Sequence, residues 1–284
     1  MLQHTLDRAL GLSERDHIVT ILGKGHRRYL EKTGDSPIPG VVIDQPFNMG
    51  TATGVFLAAV YIYSRDPDAT MVLLPSDHFV YPEERFLSHL FRLYELAEQF
   101  EDTIILLGAN PIRAETEYGW IEPREDFGQT DGASGNVDYS KVHSFHEKPD
   151  RDLALEFYRG GFLWNTMVVA VKVRTLLKIG WRLLPTMMDR FDDLFRTLWE
   201  IATGRKGAEY ESLALSQVYE HLEEADFSRD ILQAVARECI VHRMEGVDWS
   251  DWGKPQRIAE SLDRIGRKGN FPAGLFEGYD LSRT

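Results

Sequence analysis

Asp77 is the first residue of this chain whose setting suggests chemistry. It follows Met71-Val72-Leu73-Leu74-Pro75-Ser76, an unbroken apolar run closed by a proline. Such a run reads as a strand buried on both faces, as parallel strands covered by helices are. Pro75 has no N–H for the ladder and fits the strand's end. Asp77 then lies just past the carboxyl edge of a sheet, where open α/β folds hold ligands. A carboxylate there holds a cation against an anionic group or caps the following helix, and the residue alone does not choose. His78 reads as a local hydrogen-bond partner. A second acid, Asp251, stands among aromatics in Val247-Asp248-Trp249-Ser250-Asp251-Trp252-Gly253. Two amides offer paired donors and acceptors. Gln45 suits a nucleobase edge, and Asn165, beside Leu163 and Trp164, would find a partner in a sugar hydroxyl. Gly50-Thr51-Ala52-Thr53-Gly54 opens a helix whose free N–H groups a ligand can approach, although close helix-on-sheet packing wants the same small residues. Glu147-Lys148-Pro149, taken alone, reads as a surface turn. Gly23-Lys24-Gly25 fits neither the dinucleotide fingerprint nor the P-loop and reads as a strand-to-helix turn.

The elements that must position these residues alternate along the chain. Helical spacing predicts a helix over 2–12, with Leu2, Leu6, Ala9 and Leu10 on one face. Another runs over 83–100, with Phe86, Leu90, Leu93, Ala97 and Phe100 as a core stripe. Residues 174–203 read as two helices broken at Pro185. The second carries Met187, Met188, Phe191, Leu194, Phe195, Leu198 and Ala202 on a stripe that serves the core or a subunit contact. Further helices are expected over 213–222 and 228–236. Apolar runs at 17–22, 41–44, 71–74, 103–108, 118–122, 141–147, 167–171 and 239–242 read as strands. The sum predicts an α/β, Rossmann-like fold: a mostly parallel sheet flanked by helices, with a helical C-terminal portion. Residues 125–136, rich in Gly, Asp and Ser, read as a solvated loop, and the Gly-rich stretch 266–284 as a tail.

Composition narrows the function. The chain has 284 residues, 43% hydrophobic and 27% charged, enough for one large domain. A formal net charge of −13 repels phosphate backbones and argues against nucleic acid as partner. A small phosphorylated substrate remains compatible, because a local cation can reverse the field. Cys239 is the only cysteine, so no intrachain disulfide forms and a thiolate zinc site is not expected. A reducing cytoplasm fits. No apolar run reaches the length of a membrane span and the first residues do not read as a signal peptide. Neither Gly-x-Ser-x-Gly nor His-Glu-x-x-His is present to support a hydrolase or zinc peptidase.

Taken in order, six blocks carry a resemblance. Gln45-Pro46 with Gly50-Thr51-Ala52, Leu74-Pro75-Ser76-Asp77-His78 and Tyr118-Gly119-Trp120-Ile121-Glu122 come first. Glu147-Lys148-Pro149, Leu163-Trp164-Asn165 and Trp249-Ser250-Asp251-Trp252-Gly253 follow. Together they resemble the sugar-phosphate nucleotidyltransferases, and among these the mannose-1-phosphate guanylyltransferases. The resemblance implies the nucleotide-diphospho-sugar transferase (GT-A-like) fold over residues 1–265. It implies Mg²⁺ bound by Asp77 and Asp251, a grip on the sugar phosphate by Lys148, sugar contacts from Gly119, Glu147 and Asn165, and a nucleobase contact from Gln45, Gly50 and Thr51. Asp77 and Lys148 would carry the catalysis. The implied partners are a nucleoside triphosphate, GTP favoured, and a sugar-1-phosphate, in a protein that can be a homo-oligomer.

One departure counts against full activity. Family members open with a strand and a Gly-rich loop bearing an Arg, and Leu2 to Arg8 matches the helix that follows that loop. Without those cations a transferring phosphoryl group loses stabilisation. The expectation is therefore a weak or inactive chain with an unpaired edge in its sheet. Two alternatives stand beside it. One is a relative that binds a nucleotide or sugar phosphate without turnover. The other is a nucleotide-sugar-dependent glycosyltransferase, which usually pairs two acids after one strand where this chain has only Asp77.

Overall fold

The computed structural model describes residues 1–30, 38–124, 138–267 and 269. The chain opens with α1 (Leu2–Leu12), β1 (Val19–Leu22), the short α2 (Arg27–Leu30), β2 (Val41–Asp44) and α3 (Gly50–Tyr63). Next come β3 (Thr70–Leu73), β4 (Phe79–Tyr81), α4 (Glu83–Gln99), β5 (Ile104–Ala109), β6 (Gly119–Pro123) and β7 (Tyr139–Glu147). α5 (Arg151–Arg159), β8 (Leu163–Lys172), α6 (Val173–Leu183), α7 (Pro185–Ala202) and α8 (Tyr210–Tyr219) lead to β9 (Cys239–Met244), β10 (Asp248–Ser250) and α9 (Pro255–Arg264). The expected loop over 125–136 and nearly all of the expected tail lie outside the described residues.

A six-stranded sheet in the order β3-β8-β5-β9-β7-β6 forms the centre. Every residue of β5 is buried, and the alternation of its side chains divides them between two cores. Ile104 and Leu106 join the cluster made with α3, α6, α7 and α8. Ile105 and Leu107 join the cluster under α4 and α5. Helices thus cover both faces, which is why the strands read as unbroken apolar runs. The α4 stripe is buried as expected. So are Met187, Met188, Phe191, Leu194 and Leu198 of α7, with Phe195 half-buried against the same cluster, which makes that part of the stripe core, while Ala202 at its end is exposed. Pro185 starts α7 at its first turn, where its missing N–H costs nothing. Among the described residues no helix is long and apolar enough to cross a membrane.

The α/β class stands, but the described strands are more mixed than a mostly parallel sheet. β1–β2 and β5–β9 are parallel. β8 runs against β3, β5 and β6, and β7 against β6 and β9. β6 and β7, consecutive among the described strands, pair antiparallel. β1 and β2 form a two-stranded sheet of their own, and β3 pairs only with β8 among the described residues.

Two local expectations need correction. Residues 228–236 do not form a regular helix. They hold a wide turn, Phe227–Leu232, then a 3₁₀ turn, Ala236–Glu238. The Asp226 carboxylate accepts from Arg229 N (2.9 Å) and the Asp230 carboxylate accepts from Asp226 N (2.7 Å), which tightens the backbone. α1 buries Thr5, Leu6 and Arg8, and Leu10 is exposed. The polar pair wins because Arg8 donates to His78 O (3.0 Å) and pairs with Glu83 (2.9 Å), while Thr5 donates to Pro75 O (3.4 Å).

Candidate active site

The start of β6 gathers the predicted sugar contacts. β6 lies between β7 and β8 at this end, so Gly119, paired with Glu147, comes close to Asn165. A Cβ built on Gly119 would lie 2.8 Å from Glu147 Oε2, 2.9 Å from Phe145 Cζ and 3.2 Å from Asn165 Cβ. Asn165 is buried, and its Oδ1 accepts from Met167 N (3.1 Å). Burial raises the Glu147 carboxyl above its usual range; nearby Asp226 adds to this, while Lys148 and the Ser228 hydroxyl oppose it. The Lys148 ammonium is largely exposed and 3.7 Å from Glu147 Oε1, and its backbone N donates to Tyr118 O (3.3 Å).

The predicted nucleotide contacts lie at the start of α3, joined to this group through the turn at 226–228. Gly50 takes φ +82° with its Cβ direction against Ala225 O, 2.2 Å away, a position that only glycine fills. Ala52 N donates to that same oxygen (3.0 Å) and Gly50 N to Asn48 Oδ1 (3.2 Å). Close packing is thus what these small residues serve in the structure. Thr51 Oγ1 donates to Asp226 Oδ2 (3.1 Å) and accepts from Phe227 N (2.8 Å). Gln45 Oε1 accepts from the Tyr219 hydroxyl (3.0 Å).

The two acids both act on His78, placed by elements too short to read from sequence. β4 and β10 pair antiparallel, Phe79 opposite Ser250, and one step further the register sets Asp251 against His78, next to Asp77. Burial drives His78 down to about 4; Asp77 and Asp251 both oppose this, and the ring stays neutral near pH 7. It accepts from Trp249 Nε1 at Nδ1 (3.2 Å), the local role expected of it. Asp77 is exposed, and among the described residues it has no hydrogen bond or ion pair. Asp251 is engaged on all sides. Its Oδ1 accepts from the Tyr118 hydroxyl (2.8 Å), Gly253 N (3.0 Å) and Arg257 Nη1 (2.8 Å), and its Oδ2 lies 2.7 Å from the same Nη1. Burial pushes Asp251 up, but these donors outweigh it and hold the carboxyl below the usual range.

Mg²⁺ wants an octahedron of open oxygens. Among the described residues no three His, Cys, Asp or Glu side chains gather into a metal-binding group, so a cation here would rest on Asp77 and Asp251. Asp77 fits that demand. Asp251, as arranged, does not.

Among the described residues, three other than glycine adopt positive φ: Lys148 (47°), Met167 (56°) and Trp252 (49°). Each lies within two residues of Glu147, Asn165 or Asp251. Such conformations cost free energy and collect at functional sites. Arg257, the Tyr118 hydroxyl, Asp226 and Ser228 carry no sequence signal of their own. Only Tyr118, beside the expected Gly119, stood in a block that pointed here.

Residues 1–267 match the family described as nucleotidyl transferase. The chain belongs to that family. The nucleotidyl transferase match sits beside similarity to the alginate biosynthesis protein AlgA of Pseudomonas fluorescens, 30% identical over 58% of this chain and 33% of that protein. AlgA of Pseudomonas putida is 24% identical over 89% of this chain and 49% of its own length. A mannose-1-phosphate guanylyltransferase of Escherichia coli is 29% identical over 62% of this chain and 36% of its length. The chain thus spans about half or less of the curated relatives it matches. Among solved structures, mannose-1-phosphate geranyltransferase from Thermus thermophilus superposes with a TM-score of 0.72 at 24% identity, over 94% of this chain and 69% of that one. UDP-glucose pyrophosphorylase complexed with UDP-glucose superposes with a TM-score of 0.55 at 11% identity, over 93% and 85%. These likenesses establish the nucleotide-diphospho-sugar transferase-like fold.

Proposed function

We propose that this chain transfers a nucleotidyl group to a sugar-1-phosphate, with guanylyl and mannose the leading pair, and that it does so slowly. The observation that carries the reading is the convergence of Gly119, Glu147 and Asn165, three residues far apart in sequence that the resemblance assigned to one sugar. The names of the relatives favour mannose and guanosine. The sugar-phosphate oxygen attacks the α-phosphorus of the triphosphate in line, and pyrophosphate leaves. Such chemistry needs positioning and charge neutralisation more than a dedicated base. Glu147 and Asn165 orient the sugar, and the exposed Lys148 ammonium meets its phosphate. Gln45 and the Gly50-Thr51 turn face the base. Asp77 is the open carboxylate that would hold a Mg²⁺ ion, which would supply charge neutralisation for the triphosphate. A cytoplasmic setting, where nucleoside triphosphates and a reduced Cys239 are both at home, completes the proposal.

Pyrophosphate release from GTP and mannose-1-phosphate in the presence of Mg²⁺ tests it, with Asp77→Ala as control. Turnover that survives that substitution removes Asp77 from the mechanism. The occupied carboxylate of Asp251 favours a second reading, a relative that binds without turnover. Thermal stabilisation by mannose-1-phosphate or GTP with no pyrophosphate release would select it, and stabilisation by neither sinks both.

A further inference from the structure

The resemblance makes Asp251 a metal ligand, and the structure gives its carboxylate a different occupant. We infer that in this chain Asp251 anchors helix α9 through Arg257 and is thereby closed to a divalent cation. Arg257 is almost wholly buried and cannot leave. Its Nη2 lies 2.6 Å from Glu117 Oε2 and 3.2 Å from Glu115 Oε2, and its guanidinium stacks over the Tyr118 ring at 4.5 Å. Moving it away from Asp251 would leave a buried cation short of one partner, which is strongly unfavourable. On the other side, Gly253 N donates to Asp251 Oδ1 (3.0 Å), so backbone closes part of the approach to that oxygen as well. Mg²⁺ keeps a rigid shell of oxygens and water. Here it would have to seat that shell beside a fixed guanidinium and on an oxygen pair already holding four contacts.

The anchor also explains how α9 is attached. Only Arg257 and Ser261 of this helix are buried, so it docks by charge and not by an apolar stripe. Asp251 and Glu117 grip Arg257, and Asp248 grips Arg264 (2.6 Å). Asp248 ties the helix to β10, and Asp251, just beyond that strand, ties it through the Tyr118 hydroxyl to the entrance of β6.

The inference goes beyond the transferase reading, and metal titration of the free protein tests it without turnover. Mn²⁺ binding to the full chain is followed by electron paramagnetic resonance, and α9 is followed by amide hydrogen exchange. Asp77→Asn should weaken Mn²⁺ by about tenfold or more, while the double variant Asp251→Asn/Arg257→Gln, which keeps a neutral hydrogen-bonding pair, stays within about twofold of wild type. Asp251→Asn alone should speed exchange in α9, and Arg257→Gln, which frees the carboxylate, should tighten Mn²⁺ by about tenfold. A double variant that loses Mn²⁺ as Asp77→Asn does overturns the inference. If the wild type binds no Mn²⁺, gain of binding in Arg257→Gln carries it and no gain overturns it.

Discussion

Gly119 tolerates little more than a hydrogen. In Gly119→Ala the new methyl meets the ends of two side chains, Glu147 Oε2 and Phe145 Cζ, which can yield. The stability loss in urea should therefore be modest, about 1–2 kcal/mol. Displacement of Glu147 should weaken sugar-phosphate binding far more than stability. Glu147→Gln separates the two roles further. A carboxyl raised by burial makes the folded state lose stability as pH climbs from the unfolded value, about 4.3, through the higher folded one. Removing that charge should stabilise the chain at pH 7 by about 0.5–1 kcal/mol, read as a higher Tm, while sugar-phosphate affinity falls. Lower stability in Glu147→Gln would make the residue structural. At this scale the sequence showed Asp77, Glu147 and Asn165 because each sits in a block of unusual neighbours. Arg257 was not legible, since an arginine in a polar helix looks like any solvated side chain until its partners are known.

The helix α9 is the element most dependent on charge. Asp251 lies below the usual carboxylate range despite its burial, and Glu117 does so chiefly through the hydrogen bond from Lys254. Carboxyls depressed in the folded state contribute stability that is present above their unfolded values, about 4, and lost as pH falls through the lower folded ones. Acid should therefore release α9 before α4, whose buried face is apolar, and 1 M salt should loosen it at neutral pH by screening the exposed Lys254–Glu117 pair. Amide exchange in α9 that is insensitive to both acid and salt contradicts this account. The long elements were readable because their periodicity spans many turns. β4 and β10 are three residues each, too short for any pattern, and yet their pairing leaves Asp251 close enough to act on His78.

For the whole molecule, the split sheet sets the order of opening. A two-stranded unit is marginal alone, and β1–β2 leans on α3, whereas β5 is flanked by β8 and β9 and buried throughout. Amides of β1 and β2 should exchange well before those of β5 and β9, and equal protection would mean that the two sheets open as one unit. The α/β class could be read from apolar runs. Strand order could not, because pairing β5 between β8 and β9 is a contact between distant segments with no local trace. The wide turn at Phe227–Leu232 has a last consequence. It holds Thr51 through Asp226 and touches Glu147 through Ser228, so one short piece of backbone answers to both ends of the cleft. Two ligands that each shift it are thermodynamically coupled: by whatever factor the first alters the affinity of the second, the second alters that of the first. Under the proposed function, nucleotide and sugar phosphate would be coupled in this way whether or not a bond is ever made between them.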